Sequence, residues 1–141
     1  MKPIIDHIQI TVGDMSVALA FYDKLMPLLG FDLKNRTNAL VQAHQLHVAE
    51  YLHPQLGFGI NSPREPFAQE TVHRRKPGSL HHLAFKAESR AEVDRLAAEL
   101  VRIGANIVAG PCLFPQHGSD YYAVFFKDPD GIKSEIVCSG A

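Results

Sequence analysis

The chain has 141 residues, with 14 Lys and Arg against 15 Asp and Glu, so its formal net charge at pH 7 is −1. A nearly neutral chain of this length fits one compact domain and lacks the broad positive field that drives nucleic-acid binding. Its two cysteines are too few for a disulfide framework or a thiolate zinc site. The sequence shows no basic leader and no long apolar run, which predicts a cytoplasmic protein without a membrane partner.

The first predicted element is a strand over residues 4–12, in which apolar and polar side chains alternate. Alternation places the apolar side chains on one face of the strand and His7, Gln9 and Thr11 on the other. We expect the apolar face to pack against a helix and the polar face to line a binding surface.

A helix is predicted over residues 14–29, because Asp14 is a good N-cap, apolar residues recur at helical spacing, and Gly30 can end the last turn. This helix would press its apolar stripe onto the apolar face of the first strand. Pro27 lies inside the pattern and lacks the backbone N–H that a helix interior uses. We therefore expect a kink or an early end near Leu25.

The middle of the chain predicts more strands and then a linker. The predicted strands cover residues 31–35, 40–52 and 56–60. Residues 61–79 contain several prolines and many charges, which is typical of a linker, with a short helical turn over residues 67–73. The one basic run, at 74–76, lies in this linker and indicates a solvated segment rather than a phosphate site.

The segment over residues 80–87 repeats the first strand, at a constant offset that maps His7 onto His82. His82 therefore lies on the polar face of its strand. A second helix is predicted over residues 90–103, after the N-cap residue Ser89 and with the apolar spacing of the first helix. We infer that a strand-helix unit has been duplicated.

Three strands are predicted to complete the chain. They cover residues 105–109, 120–127 and 132–138. The last two are joined as a hairpin by residues 128–131, because Pro129 presets φ at the first corner and Gly131 can adopt the left-handed conformation. Glu135 lies in the returning strand among apolar neighbours, and a buried carboxylate needs a partner or a metal ion.

Together these motifs resemble the vicinal oxygen chelate superfamily, which includes glyoxalase I, bleomycin-resistance proteins, fosfomycin-resistance proteins and extradiol dioxygenases. The matching segments are residues 6–8, 21–22, 29–31, 82–85 and 128–131 with Glu135. The resemblance implies an α+β fold of two βαβββ modules in tandem, forming an open cup-shaped mixed sheet with the helices outside. It also implies one domain over residues 1–141, with module one at 1–61, a linker at 62–79 and module two at 80–141.

In this superfamily the metal ligands come from the first strand of each module and from the last strand of a module. The resemblance therefore implies that His7, His82 and Glu135 bind one divalent metal ion, either Fe, Mn, Zn or Ni. Two neutral imidazoles and a carboxylate suit Fe(II) or Mn(II) and leave positions open for a substrate. The metal would act as a Lewis acid toward two adjacent oxygen atoms of a small-molecule substrate.

Further site residues follow from the faces of the strands and from the resemblance. We expect four residues to contact the substrate: Gln9, Thr11, Lys86 and Phe125. Phe125 stands where the extradiol dioxygenases and fosfomycin-resistance enzymes have a tyrosine, so Tyr121, which has the same parity, is expected to supply the catalytic hydroxyl. His117 is expected to be a general acid or base. Pro115 stands where the fosfomycin-resistance enzymes have a cationic loop residue, so a phosphonate would lack its partner.

Two function classes stay open. Glyoxalase I has a fourth ligand, a glutamate, near the position of Phe58 or Gly59, and its absence here favours a metal-dependent lyase, isomerase or extradiol dioxygenase with three ligands. The alternative is a non-catalytic binding protein for a drug or metabolite, of the bleomycin-resistance type. In both cases we expect a homodimer, with ligands from one chain or shared between swapped modules.

Plainer interpretations exist for single residues of the predicted site. Glu135 could form a salt bridge with Lys133 at the rim of the cup. His81 is interpreted as structural or exposed, and Tyr121 could simply fill space in the sheet. Three further histidines are expected at the surface or in loops: His44, His47 and His53.

Overall fold

The computed structural model describes residues 1–140 and divides the chain into two units, Met1–Thr71 and the part from Val72 onward. Each unit has the order strand, helix and three strands, which confirms the predicted α+β fold of two βαβββ modules in tandem. Within the described residues, neither helix has the length and apolar character that crossing a membrane would require. The single-domain organisation with a linker at 62–79 stays a prediction.

The first unit is a mixed four-stranded sheet with one α-helix. Its elements are β1 (His7–Thr11), α1 (Met15–Leu28), β2 (Arg36–Val41), β3 (Leu46–His53) and β4 (Leu56–Asn61). The strand order is β1-β4-β3-β2, with β1 parallel to β4 and the other pairs antiparallel. The buried Tyr51 donates its hydroxyl to Asp23 of α1 at 2.9 Å, which marks the face of the sheet that the helix covers. His7 and Gln9 lie on the opposite, open face.

The second unit repeats this plan. Its elements are β5 (Leu83–Lys86), α2 (Arg90–Arg102), β6 (Asn106–Leu113), β7 (Tyr122–Lys127) and β8 (Lys133–Cys138). The strand order is β5-β8-β7-β6, again with the first and last strands parallel. The helix contributes the buried Val93, Leu96 and Leu100, and Tyr122 donates to Asp94 of α2 at 2.7 Å. Residues of β7 and β8 with the parity of Tyr122 therefore face the helix, and the alternate residues form the open face.

Both helices begin with the N-caps that the sequence predicted, and a glycine follows the last turn of each. The Asp14 carboxylate accepts hydrogen bonds from two first-turn N–H groups at 2.8 and 3.1 Å, and Ser89 accepts one at 3.1 Å. The backbone N–H of Val17 is the main cause that lowers the pKa of Asp14. Gly30 and Gly104 follow the last turns with φ of 93° and 83°, the left-handed conformation that glycine adopts without strain.

The early end that Pro27 predicted for helix α1 is not found, whereas the alternative of a kink stays a prediction. The helix continues through Pro27 to Leu28 and does not stop near Leu25. Pro27 lies in the last turn, where the N–H of Leu29 closes the helix on the carbonyls of Leu25 and Met26. The last turn therefore closes on carbonyls other than the one that Pro27 leaves without its helical donor.

The segment between α1 and β4 also differs from the prediction. Residues 33–35 form a short 3-10 turn in place of a strand, because the side chain of Asp32 accepts from the N–H of Lys34 at 2.9 Å. The predicted strand over residues 40–52 is two strands, separated by a 3-10 turn at Gln42–His44. The following residue, Gln45, has the left-handed φ of 51° that lets the chain reverse.

The predicted helical turn over residues 67–73 does not form. A 3-10 turn occurs earlier, at Glu65–Phe67, where Pro66 presets the backbone φ that a turn of this kind uses. The segment that follows, up to β5, contains turns without a helix or a strand.

Candidate metal centre and its cavity

The site in the second unit begins with the turn between β7 and β8. The buried side chain of Asp128 accepts hydrogen bonds from the N–H groups of Asp130 and Ile132, at 2.9 and 2.8 Å. These bonds hold the hairpin that the sequence predicted at residues 128–131. They also hold the register in which Glu135 of β8 lies directly opposite Phe125 of β7.

Glu135 is the buried acid of this site, since only 2% of its surface is exposed. One carboxylate oxygen, Oε2, accepts the hydroxyl proton of Tyr121 at 2.7 Å. The other oxygen, Oε1, lies 3.2 Å from Nε2 of His82. Two polar side chains thus replace the water that a carboxylate loses on burial.

The hydroxyl of Tyr121 is held in its protonated form. Burial is the main cause that raises its pKa to about 12, and the hydrogen bond to Glu135 and the negative charge of that residue act in the same direction. Tyr121 is therefore a hydrogen-bond donor to Glu135 across the neutral pH range.

His82 is held between two partners. Its Nδ1 lies 2.7 Å from Nδ1 of His81, and its Nε2 faces Glu135. Partial desolvation is the main cause that lowers the pKa of His81, and electrostatic interactions with His82, Arg74, Arg75 and Lys133 lower it further. His81 was interpreted as structural or exposed, and it is both: it lies at the surface and contacts the ring of His82.

These side chains line a cavity of about 530 Å³, a volume that suits a small molecule. Its walls include His117 and two aromatic rings, Phe114 and Phe125, which meet edge to face with their centroids 5.0 Å apart. Phe125 packs with Ala123 and Val137 in a small apolar cluster on the open face. The cavity therefore combines a polar end at Glu135 with an apolar wall.

Lys133 lines the same cavity and was not predicted as a site residue. Its amino group lies 4.5 Å from the centroid of the Phe125 ring, and it forms no ion pair with Glu135 or any other carboxylate of residues 1–140. The salt bridge considered from the sequence is therefore not formed. A signal was available, because Lys133 stands two residues before Glu135 and must share its face of the strand.

Five of the predicted site residues line one cavity of the second unit, and a sixth, Lys86, does not. His82, His117, Tyr121, Phe125 and Glu135 line the cavity of the second unit. Lys86 is exposed on β5 and does not line that cavity, while His7, Gln9 and Thr11 belong to the first unit.

In the first unit, His7 and Gln9 line a separate cavity of about 350 Å³. His7 is 65% exposed, and its Nδ1 lies 2.7 Å from the carboxylate of Asp6. The amide of Gln9 donates to Glu50 at 3.3 Å, and the hydroxyl of Thr11 donates to an asparagine of β4 at 2.8 Å. These long or exposed contacts form a polar surface rather than a buried centre.

The donor set of the second unit fits part of a metal site. Within residues 1–140 no group of three or more His, Cys, Asp or Glu side chains is arranged to hold a metal ion. The pair of His82 and Glu135 supplies one imidazole nitrogen and one carboxylate oxygen that point at each other, which is the chemistry of two metal ligands. The assignment of His7 as a third ligand stays a prediction.

Comparison with known proteins gives consistent matches along the chain. The family model described as Glyoxalase/Bleomycin resistance protein/Dioxygenase superfamily matches residues 4–136. Protein YqjT of Bacillus subtilis (strain 168) is 29% identical over 131 residues, covering 93% of this chain and 95% of YqjT. Metallothiol transferase FosB of Bacillus licheniformis is 27% identical over 134 residues, covering 94% of this chain and 73% of FosB. The crystal structure of a candidate glyoxalase from Bacillus halodurans superposes with a TM-score of 0.77 at 31% identity, covering 97% of this chain and 96% of that one.

Proposed function

Because this chain belongs to the glyoxalase/bleomycin resistance protein/dioxygenase superfamily, we propose that it is a metal-dependent enzyme acting on a small substrate with two neighbouring oxygen atoms. The observation that carries this proposal is Glu135, a carboxylate that is 98% buried and faces an imidazole across 3.2 Å in a cavity open to a ligand. Burying such a charge is costly unless a cation or several donors compensate for it.

In this proposal His82 and Glu135 are two ligands of a divalent ion, and His7 is the third, from the same chain or from a second copy. A bound divalent ion would supply Lewis acidity toward the two substrate oxygens. Tyr121 occupies Oε2 of Glu135 and so leaves Oε1 as the oxygen available for coordination. His81 contacts Nδ1 of His82 and so directs Nε2 toward the same point, as outer partners of metal-bound histidines do.

Other residues of the cavity have roles that do not require direct metal contact. His117 lies with its ring centroid 5.2 Å from that of Tyr121, where it could move a proton to or from a substrate near neutral pH. The rings of Phe114 and Phe125 would exclude water from one side of the substrate. The reaction class is a lyase, isomerase or extradiol dioxygenase, and the similarity to FosB adds transfer of a thiol.

Metal content tests the proposal most directly. Purified wild-type protein is incubated in turn with Fe(II), Mn(II), Zn(II) and Ni(II), desalted and analysed for metal, beside His82→Ala and Glu135→Ala. The matched controls are His44→Ala and Glu88→Ala, whose side chains are exposed. We expect wild type and controls to keep about one ion per chain and the two site variants to lose it, with circular dichroism unchanged. Wild-type protein that stays metal-free with all four ions would contradict the metalloenzyme assignment.

A second candidate is a binding protein that sequesters a drug or metabolite without chemistry. The edge-to-face pair of Phe114 and Phe125 favours it, because an aromatic wall of this kind holds planar ligands by contact alone. A metal-free protein that still binds aromatic ligands in this cavity would support this candidate. A metal-loaded protein that turns over catechols or α-hydroxycarbonyl thiol adducts would support the enzyme.

A further inference from the structure

The cavity of the second unit contains a positive charge for which the proposed metal chemistry has no use. The amino group of Lys133 reaches the cavity wall and lies over the ring of Phe125, 4.5 Å from its centroid. A cation over an aromatic face is attracted to the ring, but the ring does not neutralise its charge. The amino group of Lys133 can therefore donate hydrogen bonds to a ligand in the cavity.

No carboxylate of the described residues competes for this lysine. Glu135 is the acid that lines the same cavity, and its two oxygens face Tyr121 and His82 and form no ion pair with Lys133. Arg74 and Arg75 add positive charge near His81, another lining residue. A half-enclosed cation with positive neighbours and no carboxylate partner favours a negatively charged ligand.

We propose that Lys133 binds an oxyanion of the substrate, so that the ligand of this cavity is a small carboxylate, phosphate or phosphonate. The inference rests on the proposed function, because it assigns the substrate class of the same site. Lys133 would hold the oxyanion with charge-assisted hydrogen bonds, while the part of the ligand beside it contacts Phe125.

This assignment changes one expectation from the sequence. With Pro115 at the loop position of the family's cationic residue, a phosphonate was expected to lack a partner. Lys133 offers that partner from β8, two residues before Glu135, so the cation and the acid come from one face of one strand. Oxyanion recognition would then depend on the hairpin and not on the loop.

Ligand charge provides the test. The full chain is dialysed against EDTA, so that no bound metal contributes, and is titrated by calorimetry with benzoate and with its neutral analogue benzamide. The variants are Lys133→Met, the charge-preserving Lys133→Arg, and the control Lys127→Met. Lys127 lies directly opposite Lys133 in the β7–β8 ladder but does not line the cavity.

We expect wild type, Lys133→Arg and Lys127→Met to bind benzoate at least about tenfold more tightly than benzamide, and Lys133→Met to bind both alike. A preference for benzoate that survives in Lys133→Met, that is lost equally in Lys127→Met, or that is absent from wild type would overturn the inference. Metal content is measured separately, so a protein that prefers benzoate but binds no metal would contradict the proposed function and leave the role of Lys133 standing.

Discussion

The two units share a backbone plan but differ on the open faces of their sheets. The strand register makes Gly59 of β4 the counterpart of Glu135 of β8, and Glu50 of β3 the counterpart of Phe125 of β7. The first unit thus has a glycine where the second has its buried acid, and an acid where the second has an aromatic ring. The two units thus present different chemistry at matched positions of their open faces.

The environments of the two acids differ as much as their positions. Glu135 is buried and receives a hydrogen bond of 2.7 Å, whereas Glu50 is half-buried and its contacts with Gln9 and Thr37 are 3.3 and 3.4 Å long. Water can replace a lost partner of Glu50 but not of Glu135. The comparison teaches that, of these two acids, only Glu135 depends on its polar partners for stability.

The largest effect is expected from Tyr121→Phe, which removes the donor to the buried carboxylate. We expect the free energy of unfolding to fall by about 1–3 kcal/mol, because Oε2 of Glu135 would be left desolvated and unpaired. The control is Tyr122→Phe, which deletes an equally short hydroxyl–carboxylate bond to the more exposed Asp94. Urea denaturation gives both values, and we expect the control to lose less than about 0.5 kcal/mol.

Thr37→Val extends the same comparison to the first unit. Removal of its long contact with Glu50 is expected to leave the urea midpoint almost unchanged, because solvent reaches that carboxylate. Equal losses of unfolding free energy in Tyr121→Phe, Tyr122→Phe and Thr37→Val would contradict this comparison. They would show that burial of the acid does not determine how much the contact contributes to stability.

A smaller effect is expected from Gly59→Ala. An added Cβ would lie 2.7 Å from Cγ of Gln9, so we expect a loss of about 1 kcal/mol from overpacking. In a Gln9→Ala background the same substitution is expected to be neutral or stabilising by up to about 0.5 kcal/mol, since alanine restricts the unfolded chain. A double-mutant cycle in urea measures the coupling. The same loss of stability in both backgrounds would mean that contact with Gln9 does not cause the effect of Gly59→Ala.

The smallest effect concerns the helix caps of the two units, whose contributions to stability should depend differently on pH. The pKa of Asp14 is lowered from its ordinary value of 3.8, so its stabilising effect is present above that value and is lost as the pH falls through the lowered pKa. Asp14→Asn keeps the cap and should remove this acid-dependent part, whereas Ser89→Ala should lower stability equally at every pH. Urea midpoints from about pH 7 to about pH 3 test both statements. An unchanged acid dependence in Asp14→Asn would contradict them.

Local chemistry explains which parts of the fold the sequence predicted. The caps at Asp14 and Ser89 and the hairpin at residues 128–131 depend on neighbours a few positions away, so their signals are complete in the sequence. The reversal at Gln45 gave no signal, because glutamine rarely adopts a left-handed φ. Pro27 misled the prediction because its effect depends on how close it lies to the end of the helix.

The candidate site was predictable to the extent that it follows strand parity. Parity and the repeat placed His82 and Glu135 on one face, and the structure brings them within 3.2 Å. The bond from Tyr121 to Glu135 depends on how the loop before β7 returns to the sheet, which alternation does not describe. A lysine at position 133 can reach either the ring of Phe125 or the carboxylate of Glu135, depending on its side-chain conformation. The sequence does not determine that conformation, and in the structure the amino group lies over Phe125.

The contacts from Glu135 outward also determine where protons reside at the surface. In the metal-free protein, a neutral His82 that donates to an ionised Glu135 carries its proton on Nε2, and its Nδ1 is then left to accept from Nδ1 of His81. In that arrangement Nδ1 of His81 is the protonated nitrogen of its ring, and Nε2 carries no proton. A buried acid thus selects the tautomer of a solvent-facing histidine, and the nitrogen-15 shifts of the His81 ring would report the state of Glu135 without any probe in the cavity.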